Sequence, residues 1–194
     1  MGGATLLPMR FFLLALSMIL LPATQPAMAD AAKAGTASLD DLFQQLKRSG
    51  NENAAGRIAR TITDRLGDSG SATVDFLLLK ANEAMAESKN DVALDLLDQV
   101  IMLDSDFAEG WNRRATLHYK MRNFTKSVAD INAVLEREPR HFGALSGLAA
   151  IFMATGREES ALAVYERVLV IYPMMRDAQR AVGTLADKLT GDGI

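Results

Sequence analysis

The chain has 194 residues and no cysteine. That excludes disulfides, thiolate nucleophiles, cysteine-ligated metals and lipid attachment at a cleavage-site cysteine. Histidine is nearly absent as well. Only His118 and His141 occur, with no H-E-x-x-H or comparable ligand cluster. There is no excess of basic charge: 21 Lys and Arg stand against 24 Asp and Glu, for a net charge of −3. Such a balance argues against a nucleic-acid partner, which selects a basic surface. Arg113, Arg114, Lys120 and Arg122 form a local basic cluster, which reads as a solvated helix face. Enzymatic motifs are missing too. Gly143-Ala144-Leu145-Ser146-Gly147 has the wrong order for a G-x-S-x-G nucleophile turn, and Gly67-Asp68-Ser69-Gly70 lacks the lysine of a phosphate loop. Asn123-Phe124-Thr125 is a formal glycosylation sequon at a tight turn. The carboxylates are scattered along helical patterns with no strand framework to converge a pair. The sequence therefore predicts no enzyme, no cofactor and no metal.

The residues that are present divide the chain. Residues 1–29 carry Arg10 as their one charged side chain, then the apolar run Phe11–Leu21, Pro22, and the small-x-small site Ala27-Met28-Ala29. This is the layout of a secretory signal peptide, and the run falls short of the roughly 20 apolar residues needed to span a bilayer. A periplasmic product cut near Ala29 and Asp30 is expected, associated with a membrane only through a partner. Residues 30–37 read as a flexible leader. Residues 38–73 read as a helix pair: Ser38 caps a helix carrying Leu39, Leu42, Phe43 and Leu46, and Ile58, Ile62 and Leu66 line a second. Gly67–Ser71 breaks the helical pattern after this pair.

From residue 74 onward the chain superimposes on itself at a spacing of 34 residues, giving units 74–107, 108–141 and 142–173. Fourth place holds Leu77, Trp111 and Leu145. Eighth place holds Ala81, Ala115 and Ala149. Twentieth place holds Ala93, Ser127 and Ala161, and twenty-seventh place holds Val100, Val134 and Val168. Each unit reads as two amphipathic helices. The small residues at the eighth and twentieth places mark a close approach, and Trp111 is expected to fill the joint between the helices of the middle unit. Pro139 and Pro173 end second helices. Residues 174–190 read as one further helix with Ala178, Ala181, Val182, Leu185 and Leu189 on one side, and 191–194 as a tail.

This pattern resembles the tetratricopeptide repeat, whose period and W-x2-L-G-x2-Y…A-x3-F…P signature it follows. There are departures. The seventh place, usually leucine, is Lys80, Arg114 and then Leu148; the eleventh, usually aromatic, is Ala84, His118 and then Phe152. The pair in 38–73 lies where a repeat in register would begin and reads as a degenerate terminal unit. The resemblance implies an all-α fold: a solenoid of antiparallel helix hairpins, a superhelix closed by a C-terminal capping helix. It implies a protein-binding scaffold, with a peptide or helix segment of one or more proteins held in a concave groove. The family lines that groove from the first helix of each unit. Here that gives Leu78, Asn82 and Met85, then Glu109, Asn112, Thr116, Tyr119 and Lys120, then Ser146 and Met153. The subtype that clamps a C-terminal carboxylate is not expected, because Gly143 and Gly147 stand where its third unit needs lysine and arginine. The chain also resembles exported tetratricopeptide-repeat proteins of alphaproteobacterial cell envelopes. That implies a periplasmic adaptor supporting envelope integrity or assembly, or alternatively a chaperone for a secreted client or a non-catalytic subunit of an envelope enzyme.

Overall fold

The computed structural model describes residues 1–2 and 37–191, and the described helices belong to the unit from Ala37 onward. The expected signal peptide and most of the leader and tail lie outside the described residues. Within them the chain is all helix: α1 Leu39–Arg48, α2 Glu52–Leu66, α3 Ala72–Ala86, α4 Asn90–Leu103, α5 Ala108–Lys120, α6 Phe124–Arg137, α7 Phe142–Ala154, α8 Glu158–Ile171 and α9 Arg176–Thr190. Local chemistry sets several starts. Ser38 and Asp41 form a reciprocal capping box on α1, Asn51 accepts from the Ala54 N–H at 2.9 Å, and Ser71 caps α3.

The helices α3–α4, α5–α6 and α7–α8 are three hairpins. The residue that turns each one is left-handed: Ser88 and Arg122 at φ 60° and Gly156 at φ 72°. Glycine meets no steric penalty there, whereas Ser88 and Arg122 do. The same bond closes all three turns: Lys89 N–H to Ala84 C=O, Asn123 to His118 and Arg157 to Phe152, at 2.8–2.9 Å.

The core forms within the hairpins and continues between them. One apolar cluster runs from Ala115, Ile131 and Val134 through Leu145, Leu148, Ile151, Val164 and Val168 to Ala178 of α9. A second holds Val74, Leu78, Ala81, Leu97, Val100 and Phe107, with Leu117 from the next repeat. Close stacking needs small residues at the third place. A Cβ on Gly110 would stand 2.7 Å from Val100 Cγ1. Trp111, expected in the joint, is only half-buried. Its indole N–H donates to Ser105 C=O at 2.9 Å, and the guanidinium groups of Arg114 and Arg137 each lie 5.0 Å from its ring. It closes a seam and does not fill the interior.

Polar side chains also tie repeat to repeat. Arg114, in the place of the family's leucine, forks onto buried Asp130 at 2.9 and 2.7 Å and reaches Asp98 of α4 at 2.7 Å. Arg113 pairs with Glu109 at 2.6 Å. Two of the three arginines of the basic cluster are thereby neutralised. Glu109 is 2% exposed and meets His141 Nε2 at 3.2 Å and Asn112 Nδ2 at 2.9 Å. His141 Nδ1 accepts from the Ala144 N–H at 3.1 Å and so caps α7, which leaves Nε2 to carry the hydrogen that Glu109 accepts.

The N-terminal pair does not stack ahead of α3 as a degenerate first repeat. Its apolar stripe, Leu42, Phe43, Leu46, Ala55, Ala59 and Ile62, is covered by Phe142, Ile171, Tyr172 and Met174 at the edge of the third repeat. Charge explains the choice. Asp40 and Glu52, in the first turns of α1 and α2, pair with Arg140 at 2.7 Å and Arg176 at 2.8 Å, and Arg140 lies 4.2 Å from the Phe43 ring. The leading face of α3 offers no such arginine; its apolar residues flank the Lys80–Glu83 pair.

The buried charges have two measurable consequences. Arg114→Met strands the Asp130 carboxylate without its fork and is expected to destabilise the fold by about 3–5 kcal/mol, whereas Arg114→Met combined with Asp130→Leu returns stability to the parent level or above. Denaturant melts of the two variants check this. Acid acts in two stages. Burial lowers the His118 pKa from 6.5 despite the opposing pull of Asp130, so its contribution is present above about pH 6.5 and is lost as pH falls below it. Burial raises the Glu109 pKa, but the His141 hydrogen bond and Arg113 outweigh it and hold the group below 4.5. Glu138 behaves alike through Arg140. Their contribution is present above about pH 4.5 and is lost below it. Thermal melts from pH 7 to 3 should fall in both ranges, and His118→Phe should abolish only the upper one.

Candidate functional site

The first helices of the three hairpins each turn one face inward to the core and leave one face open. On α5, Asn112, Thr116, Tyr119 and Lys120 fall at i, i+4, i+7 and i+8, a single stripe opposite buried Ala115 and His118. On α7, Ser146, Ala150 and Met153 repeat that spacing, and Asn82 and Met85 hold the equivalent places on α3.

The ten expected groove residues are not equally available. Leu78 is buried in the core of the first repeat, and Glu109 is enclosed by His141, Arg113 and Asn112, so both belong to the scaffold. Asn82, Met85, Asn112 and Ser146 are half-buried. Asn112 has one side-chain amide hydrogen on Glu109, and its side-chain amide oxygen can accept a further hydrogen bond. Thr116 and Ser146 send their hydroxyl hydrogens back to Asn112 C=O at 2.9 Å and Phe142 C=O at 2.7 Å. Tyr119 at 37% and Met153 at 42% exposure, with Thr116 and Lys120, form the open part. The Tyr119 ring leans on Phe124 at 5.8 Å, which limits its rotamers. The open stripe thus presents an aromatic ring and a polarizable thioether, with amide and ammonium groups on the same helices.

A second surface is not evident from the repeat register. Phe76 is 57%, Leu79 53% and Leu103 58% exposed on the first hairpin, which no hairpin of the described residues precedes in the stack. The signal is nonetheless present in the repeat. The third and sixth places are Gly110 and Arg113, then Ala144 and Gly147, and only the first unit carries large apolar residues there.

His118 is buried, with Nε2 3.9 Å from Asp130 Oδ2. It and Asp130 line a cavity of about 370 Å³ with Asp98, Arg114 and Lys126. Among the described residues no group of three or more His, Cys, Asp or Glu is placed to hold a metal ion. No described helix is long and apolar enough to cross a membrane.

The tetratricopeptide-repeat pattern matches residues 112–174. The chain is 51% identical over 154 residues to a TPR repeat-containing protein of Rhizobium etli, covering 79% of this chain and 76% of that one. Among solved structures it resembles the first TPR of Spaghetti (RPAP3), bound to an HSP90 peptide, at TM-score 0.58 and 23% identity, over 62% of this chain and 98% of that one. It also resembles MamA at TM-score 0.55 and 16% identity, over 78% and 81%. The two structures share its helical-hairpin architecture. With the repeat pattern, the stacked hairpins and the Rhizobium relative in agreement, the chain belongs to the tetratricopeptide-repeat family.

Proposed function

We propose that this protein is an adaptor of the periplasm that holds a peptide or helix segment of a partner protein in the groove formed by α3, α5 and α7, in support of cell-envelope integrity or assembly. The observation that carries the groove is the exposed stripe centred on Tyr119 and Met153, set on helices whose opposite faces are locked in the core. A relative in fold, the first TPR of Spaghetti, is bound to a peptide of HSP90, which supports a peptide ligand for the same architecture. The ligand differs in kind from one held by a carboxylate clamp, since Gly143 and Gly147 offer no charge. Export is supported by the layout of residues 1–29. The uncovered Phe76 and Leu79 favour a second reading, a chaperone for one secreted client, because such a patch can hold unfolded chain.

The test is capture of partners from the native host by the mature protein, whose N-terminus is sequenced in the same preparation. Tyr119→Ala with Met153→Ala should weaken capture roughly 30-fold, the scale of about 2 kcal/mol for an anchor at an interface centre, while helicity is unchanged. Asn132→Ala on the exposed side of α6 is the control; Asp98 is unsuitable because it holds Arg114. Loss of capture only in the control would move the site to the convex side. A native chain retaining residues 1–29 would remove the periplasmic part of the proposal.

A further inference from the structure

Docking of the α1–α2 hairpin against the third repeat leaves a cavity of about 590 Å³ between α2 and the α8–α9 connection. Gly56, Arg57 and Arg60 form one wall, and Tyr172, Met174 and Met175 the other. That volume is in the range of small-ligand pockets. The charges around it are unequal. Glu52 and Asp177, which also line it, already have partners, Arg176 at 2.8 Å and Arg180 at 2.5 Å. Arg57 and Arg60 meet no carboxylate among the described residues. Spaced i and i+3, they lie on one side of α2. The pocket therefore presents two unmatched guanidinium groups on a protein whose net charge is −3.

Gly56 sets the point of convergence. A Cβ built there would lie 3.8 Å from Arg60 Nη1 and 3.9 Å from the Tyr172 hydroxyl oxygen, so the space above this glycine is within reach of both donors. Beyond it, the Tyr172 ring and the thioethers of Met174 and Met175 supply an adaptable apolar wall.

We propose that this cavity binds an organic carboxylate with an apolar body. The carboxylate sits above Gly56 and accepts from Arg60, Arg57 and the Tyr172 hydroxyl; the apolar body lies on Met174 and Met175. A guanidinium fork matches the two oxygens of a carboxylate. A single negative charge fits better than a phosphate dianion, because the carboxylates of Glu52 and Asp177 share the lining. Two sources share this chemistry: a free small acid and the C-terminal residue of a peptide. The site is separate from the groove, since Tyr119, Lys120 and Met153 do not line it.

The test is titration of the purified, isotope-labelled protein, followed by the amide signals of Gly56, Arg57, Arg60 and Tyr172. The probes are 4-phenylbutyrate, the peptide Ala-Phe-Leu with a free C-terminus, the same peptide amidated, and inorganic phosphate. Phenylbutyrate or the free peptide should shift these signals saturably, and whichever binds tighter names the source. The amidated peptide should not. Arg57→Gln with Arg60→Gln should weaken binding at least about tenfold with circular dichroism unchanged. Gly56→Leu, which fills the space between Arg60 and Tyr172, should block it independently. The proposal is overturned if neither carboxylate shifts the signals at about 10 mM. It is equally overturned if the amidated peptide binds as well as the free one, if phosphate binds more tightly, or if the folded arginine variant binds like the parent. None of these outcomes touches capture by the groove.

Discussion

No hairpin in this chain can bury its own apolar face, and the rest of the structure depends on that. Two helices of about 14 residues have one apolar stripe each and no disulfide to hold them. They become stable by lending a surface to the next pair. The close approach at Gly110 against Val100, and the continuous cluster from Ala115 to Ala178, are the physical form of that dependence. Polar ties obey the same logic. Arg114 links α4, α5 and α6, and His141 links the start of α7 to Glu109 of α5. A residue such as Glu109 therefore serves the stack even where helical position alone would assign it to a ligand.

The stack must end somewhere, and its two ends are solved differently. At the C-terminal end α9 lays Ala178 and Leu185 inward and leaves charged residues outside. At the N-terminal end the α1–α2 pair sets its acidic first turns against Arg140 and Arg176 and, among the described residues, leaves Phe76 and Leu79 of α3 exposed. One displaced hairpin thus creates two features: an apolar face and a cationic cavity. Both stand apart from the open stripe of α5 and α7.

Much of the fold is legible in the sequence because repetition multiplies a weak signal. A single Ala115 says little, but Ala81, Ala115 and Ala149 in step specify a close approach, and the proline-bounded second helices fix the period. The α1–α2 pair is legible as helices through Ser38, Asp41 and its apolar stripe, but not in its placement. That rests on Arg140 and Arg176, which lie about 100 and 124 residues away along the chain and have no local pattern. The groove is legible only as helical positions. Burial of Leu78 and Glu109 depends on neighbours such as His141 that register alone does not reveal. Trp111 departs from expectation for a related reason: the family's fourth place implies a filled joint, whereas two arginines and Ser105 hold this indole at the seam.

The central claim is that a partner lies along α5 and α7 on their open faces. Placing a photo-crosslinking amino acid in turn at Met153 and at Asn132, then irradiating the protein in its native host, tests it most directly. A partner held in the groove gives a covalent adduct from position 153 and none from position 132. An adduct from 132 with none from 153 would contradict the claim.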